Sequence, residues 1–127
     1  YMALAPHTND LKVTGLDNVF CGGEKAGLLV GHTEAIVTGT LAGHNAVRYL
    51  LGKELLVLPT DLAIGDAISF VNAAMDTEEG ICKKYTFSGS VYFTRMQELG
   101  LYLTDKDEIK AKVEKDGLTG VFSQKLA

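Results

Sequence analysis

Between residues 19 and 51 the chain runs from a short apolar segment through a glycine-rich loop into a long helical stretch studded with small residues. Few folds can use that order. Val19-Phe20-Cys21 is a continuous apolar run of the kind found in a strand buried on both faces. It stops at Gly22-Gly23, and glycine returns at Gly27 and Gly31. The spacing then predicts a helix from about Thr33 to Leu51, with Gly52-Lys53 as its stop. Ala35, Gly39, Ala42, Gly43 and Ala46 form a small-residue stripe along it, while Ile36, Leu41, Val47 and Leu50 supply bulk elsewhere. A glycine inside a helix costs about 1 kcal/mol relative to alanine. Two of them imply that a neighbouring strand or a flat ligand comes close to the helix backbone.

At 127 residues the chain has room for one core and not for a two-domain enzyme. Its hydrophobic share of 46% is that of a globular protein, which argues against disorder. A net charge of −4 provides no global positive field for nucleic acid, so only a local basic patch could serve. Two cysteines are too few for a disulfide framework or a four-cysteine zinc site. Cys21, inside its apolar run, reads as a buried and inert thiol. No signal peptide is evident and no apolar run approaches ~18 residues, so a cytoplasmic location is expected. The chain opens on Tyr1, which suggests a piece of a longer protein.

Residues 1–18 read as an extended approach, with Leu11 and Val13 alternating with Lys12 and Thr14. A second helix is marked by Ile64, Ala67, Ile68, Val71, Ala74 and Met75, opened by Pro59-Thr60-Asp61 and ended by residues 76–80. Residues 81–103 fit two patterns: Tyr85, Phe87, Val91 and Phe93 suit a strand, whereas Tyr92, Met96 and Leu99 suit a helix ending at Gly100. A last helix is expected from Asp105 to Asp116. It has Thr104 as N-cap, Gly117 as stop, and Glu108–Lys112 and Lys110–Glu114 as charge pairs. Ile109 and Val113 alone make its apolar seam, too narrow for stability without docking.

Several familiar chemistries are absent. No GxGxxG follows a strand, and Gly52-Lys53 lacks the upstream glycine of a phosphate-binding loop. His32-Thr33-Glu34 has the His-x-Glu of zinc deaminases without their Pro-Cys-x-x-Cys, so no metal is expected. His44 reads as a packed or hydrogen-bonding histidine. The loop from Gly22 to Thr33 stands apart. Its glycines admit close backbone approach, the following helix N-terminus favours an electron-rich group, and Glu24 could accept hydrogen bonds from hydroxyls. An ordinary glycine turn with an exposed glutamate fits the same pattern equally well.

Residues 15–24, Gly-Leu-Asp-Asn-Val-Phe-Cys-Gly-Gly-Glu, resemble the last FAD-contacting segment of two-dinucleotide-fold flavoproteins. With Gly27, Gly31, His32, Glu34, Ala35, Gly39, Leu41-Ala42-Gly43 and Asn45-Ala46, the likeness narrows to the glucose-inhibited division protein A (GidA) family and its folate-dependent tRNA-uracil methyltransferase relatives. Glu24 stands where that family has Gln, and His32 where Tyr is usual. The family's arginine-rich stretch is reduced here to Lys83, Lys84 and Arg95.

The resemblance implies a fold class between α/β and α+β. Residues 1–54 would be the last strand and helix of a Rossmann-like FAD-binding domain, and residues 55–127 a mainly helical C-terminal region. It further implies FAD as cofactor, held here by Gly22, Gly23, Glu24, Gly31, His32 and Thr33, with the phosphate-binding segment supplied from outside the chain. The helix N-terminus would face the flavin pyrimidine. Lys83, Lys84 and Arg95 become a weak candidate tRNA contact, and a homodimer is a further expectation. The function expected is part of a FAD-dependent, tRNA-modifying oxidoreductase that is inactive alone. The alternative is a self-folding helical interaction module without catalysis.

Overall fold

The structure, a computed structural model, describes residues 5–23 and 28–126, apart from the side chains of residues 81 and 90. Among these residues lie five helices: α1 (His32–Leu50), α2 (Ala63–Ala74), α3 (Glu78–Ile81), α4 (Ser90–Glu98) and α5 (Lys106–Lys115). Extended pairing is confined to three isolated bridges, His7 with Val13, Lys12 with Phe20, and Leu29 with Tyr85. The expected strand at Val19–Cys21 is therefore not formed, and Val19 is 40% exposed. The reason is physical. A strand buried on both faces needs partners along its edges, and Phe20 meets only the single antiparallel residue Lys12.

The first segment is a compact turn rather than an extended approach. Thr8 N–H donates to the Lys12 carbonyl, and Leu11 N–H to that of Thr8. Leu11 consequently sits at φ +68°, a left-handed conformation that costs a non-glycine residue roughly 1 kcal/mol or more. Complete burial of its side chain offsets that strain. Leu11 joins Leu28, Leu29 and Leu41 from the first half and Ala67, Ile68, Val71, Tyr85 and Tyr92 from the second. One core thus spans both halves of the chain.

The helices largely follow their periodicity, and the departures are at the caps. α2 starts at Ala63 after an extended Leu62, with no side-chain cap from Thr60 or Asp61. Residues 76–80 do not simply terminate it: Thr77 caps the short α3, its hydroxyl accepting from Gly80 N–H. The 81–103 region resolves both patterns, with Tyr85 bridged in parallel to Leu29 and α4 following, stopped by Gly100. α5 is capped by Asp105, not Thr104. Its carboxylate accepts from Asp107 N–H (2.8 Å) and, at the limit of reach, Glu108 N–H (3.4 Å). Neither Glu108–Lys112 nor Lys110–Glu114 closes into an ion pair, because exposed pairs gain little for the side-chain freedom they forfeit. No described helix is long and apolar enough to cross a membrane.

Candidate functional site

The glycine loop and α1 are joined by contacts that local sequence patterns cannot show. A Cβ placed on Gly22 would lie 2.8 Å from the Gly39 Cα and 3.0 Å from its nitrogen, so only glycine lets the loop rest on the helix there. Gly23 N–H donates to the Thr38 hydroxyl (2.9 Å), which in turn donates to the Glu34 carbonyl (2.8 Å). The close approach inferred from the helix stripe is real, but the residue that requires it is Gly22. Gly39 and Gly43 have open space where their own side chains would be. Ala35, Gly39, Gly43 and Ala46 are exposed. Glu24, a predicted site residue, lies outside the described residues.

The N-terminus of α1 is open. Gly31 is its N-cap at φ +118°, no side chain caps it, and Gly31, His32 and Thr33 are all exposed. A helix start of this kind leaves N–H groups directed outward with a partial positive charge. Beneath it, Glu34 is 4% exposed, and its Oε1 accepts from the Thr86 hydroxyl (3.0 Å) and Phe87 N–H (2.8 Å). A Cβ on Gly31 would collide with the Glu34 carboxylate. The same loop is clamped next to it, where Tyr85 N–H donates to Leu28 O (2.7 Å) and Val30 N–H to Tyr85 O (2.9 Å). The helix terminus is thus located by a segment some fifty residues away. Glu34 sits in the first turn, where a carboxylate is favourable, and its bonds to Thr86 and Phe87 keep it from standing as a free general base. This arrangement fits an electron-rich ligand group at Gly31–Thr33, while Gly22 and Gly23 serve to seat the loop.

The three candidate basic residues behave differently. Lys83 pairs with Glu79 at 3.1 Å, and the hydrogen bond and charge of Glu79 raise its pKa. Lys84 is exposed. Arg95 forms a two-pronged bond to Asp66 (Nε to Oδ2 3.0 Å, Nη2 to Oδ1 2.9 Å) and lies over the Phe70 ring at 4.4 Å. Asp66 also accepts from the Tyr92 hydroxyl at 2.7 Å. Burial pushes the Asp66 carboxyl up, but the bonds from Arg95 and Tyr92 with the Arg95 charge outweigh it and hold it below its ordinary value. Burial and the Asp66 carboxylate drive the Tyr92 hydroxyl well above the usual phenol range. This Asp66–Tyr92–Arg95 network was not legible as a site, since its members are 26 and 29 residues apart.

Asn45 is the other residue whose role needed the structure. Wholly buried, it donates to Asp10 O (2.9 Å) and Leu56 O (2.8 Å) and accepts from Leu56 N–H (2.7 Å). It ties α1 to the segments on either side. His44 is a hydrogen-bonding histidine, accepting from Arg48 Nε at 2.7 Å, with its pKa lowered by burial and by the Arg48 charge. Cys21 is buried and burial raises its pKa, which keeps the thiol protonated and unreactive. Among the described residues no three His, Cys, Asp or Glu side chains cluster as a metal site would require.

A glycine loop is thus seated on a small-residue helix, with the uncapped N-terminus of α1 beside it. Residues 1–54 match the family model described as glucose inhibited division protein A. Among curated proteins, a methylenetetrahydrofolate–tRNA-(uracil-5-)-methyltransferase TrmFO of Anoxybacillus flavithermus is 38% identical over 58 residues, 46% of this chain and 13% of the relative. That of Bacillus pumilus is 28% identical over 99 residues, 78% of this chain and 21% of the relative. That of Listeria monocytogenes is 29% identical over 105 residues, 83% and 22% respectively. The chain therefore spans between 13% and 22% of the length of these curated relatives. No solved structure matches.

Proposed function

We propose that this chain is the C-terminal part of a FAD-dependent, tRNA-modifying flavoprotein of the GidA type. Residues 1–54 complete the Rossmann-like FAD-binding domain, and residues 55–127 form a helical region that holds it in place. The observation that carries the reading is the coincidence of the family match over residues 1–54 with the uncapped, exposed start of α1 at Gly31–Thr33. The relatives' names add tRNA as the class of substrate. The comparisons lend no support to a free-standing interaction module.

In this reading FAD supplies the redox chemistry. The chain's own residues orient it and set its electrostatics. Gly22 and Gly23 seat the loop on α1, and Glu24 is the residue that would accept from hydroxyls of the ribityl chain. The N–H groups of His32 and Thr33 face the pyrimidine end and favour negative charge there. Glu34, bonded to Thr86 and Phe87, fixes the direction of that helix end. The phosphate-binding segment comes from outside residues 1–127, and a second copy of the protein is a candidate partner. Lys83, Lys84 and Arg95 are the candidate tRNA contacts. Asp66 already engages Arg95 and Glu79 engages Lys83, so exposed Lys84 carries most of that role.

The test is flavin content of the full-length protein. His32→Pro removes one N–H at the first helical position, where proline is tolerated, and Glu24→Ala removes the side chain. Loss of bound FAD, by roughly tenfold in affinity for either, is the expected outcome. Unchanged flavin content in both folded variants would falsify the assignment.

A further inference from the structure

A cavity of about 600 Å³ lies between the turn at residues 6–14 and the outer part of α2, and no reading above accounts for it. Its wall is polar: His7, Asn9, Thr14, Ser69, Asn72 and Asp76 all line it. His7 is only 5% exposed. Its Nδ1 lies 2.7 Å from the Ala5 carbonyl, which can only accept, so Nδ1 carries the hydrogen and Nε2 of the neutral ring is left as an acceptor. That Nε2 is buried and has no hydrogen-bond partner. Buried polar atoms are almost always satisfied, so an orphan beside a cavity marks a place where a donor belongs.

The asparagines add a pattern. Asn72 Nδ2 donates to Asn9 Oδ1 at 2.9 Å, so the pair still has the Asn9 amide hydrogens as donors and the Asn72 carbonyl oxygen as acceptor to offer a ligand. Flipping both amides exchanges their roles but still leaves a donor and an acceptor. Such a pair complements an N–H adjacent to a C=O in a ring. Among the described residues Asp76 is the one charged residue on the wall and no Lys or Arg lines it, so the site disfavours phosphate and suits hydroxyls.

We propose that this cavity is a binding site for a small uncharged molecule with a ring cis-amide, of the nucleoside class. The ring amide pairs with Asn9 and Asn72, a further donor of the ligand satisfies His7 Nε2, and sugar hydroxyls have Ser69, Thr14 and Asp76 to bond. The volume is in the range of natural small-molecule sites and larger than one nucleoside requires. None of Gly22, Gly23, Gly31, His32 or Thr33 lines it, so it stands apart from the flavin-facing residues.

The experiment is titration calorimetry on the full-length protein carrying this chain, with uridine, 3-methyluridine, uridine 5′-monophosphate and a short oligouridylate as probes. Uridine binds; 3-methyluridine, which lacks the ring N–H, binds roughly tenfold more weakly or worse. The monophosphate binds more weakly than uridine and recovers in Asp76→Asn, an exposed substitution that leaves the fold intact. Asn72→Leu loses uridine by roughly tenfold or more, which assigns the binding to this cavity rather than to any other uracil site. Weaker binding of the oligonucleotide supports a free nucleoside, and equal or tighter binding overturns that source. Absence of uridine binding, equal affinity for the methylated probe, or uridine binding unaltered in Asn72→Leu overturns the proposal. Should Asn72→Leu fail to fold, a monophosphate affinity unmoved by Asp76→Asn overturns it instead.

Discussion

Helices α1 and α5 bury opposite kinds of surface. In α1 the inward side includes three buried polar residues, Glu34, Thr38 and Asn45, each with named partners, together with Leu41 and Ala42. Its outward side is apolar: Ile36 is 68% exposed, Leu50 83%, and Val47 and Tyr49 are also uncovered. In α5 no residue is buried and nearly every position is charged or half-exposed. The usual rule sends bulk inward and charge outward. α5 obeys it so weakly that it lies on the rim. α1 inverts it, because its inner side is fixed by directional hydrogen bonds rather than by apolar volume. Directional bonds set position and angle, which is what the proposed flavin-facing role of this helix end would require.

The sharpest way to break this contrast is Asn45→Leu, which keeps the volume and removes the bonds. Leu56 N–H, Leu56 O and Asp10 O all lose their partner at a wholly buried site. A loss of about 2–4 kcal/mol is expected, since each unsatisfied group costs about 1–3 kcal/mol and part of that is recovered by water entry. The measurement is the midpoint of chemical denaturation at unchanged slope. A loss below about 1 kcal/mol would mean that α1 is held by its apolar contacts after all, like an ordinary helix.

Some of this was legible in the sequence. The α1 bounds expected at 33–51 fall at 32–50, and Gly52, Gly100 and Gly117 all take the positive φ their positions implied. These are local signals, carried by periodicity and by stop residues within one turn. What was not legible is long-range. Glu34 meets Thr86 and Phe87 across 52 and 53 residues, and Asp66 meets Arg95 across 29. No spacing rule links such positions, and each residue type is ordinary on its own helix. The Val19–Cys21 strand failed for a related reason. Apolar composition describes what a segment can bury, whereas a strand also needs an edge to pair with, and this chain offers it one bridge. The 85–98 stretch carried both periods because it contains both outcomes, a single bridged residue followed by a helix.

A smaller effect tests α5 from its start. Asp105 accepts from Asp107 N–H and, more distantly, Glu108 N–H, and the helix has no buried residue to compensate if that cap is lost. Asp105→Ala should cost about 1 kcal/mol or less, within the range of exposed N-caps. Fraying would be concentrated at residues 106–109, visible as faster amide hydrogen exchange there with α1 unaffected. Equal loss of protection in α1 would show that the two helices are not separable in the way their burial implies.

The smallest effect lies at the other end of α5. Asp116 follows its last turn, beside Asp61 in the approach to α2, and one buried carboxyl oxygen of each (Asp116 Oδ2 and Asp61 Oδ1) has no donor facing it unless one of the two carboxyls is protonated. Burial pushes the Asp116 carboxyl above its ordinary 3.8, Asp61 adds to this by hydrogen bond and charge, and Lys115 and Lys112 pull the other way. Two carboxyls so placed share a proton more readily than two charges. Because the folded value is raised, the folded chain binds the proton more tightly than the unfolded one. The stabilising contribution is therefore complete below the unfolded value and is lost as pH rises through the folded one. Exchange at residues 113–118 should accordingly quicken as pH climbs beyond the ordinary carboxyl value of 3.8, in excess of the intrinsic pH dependence of exchange, and Asp116→Asn should flatten that excess. α1 contains neither of these two carboxyls and serves as the internal reference for that excess. A slope that survives in Asp116→Asn would remove this carboxyl pair as the cause and leave the rim helix held by its apolar seam alone.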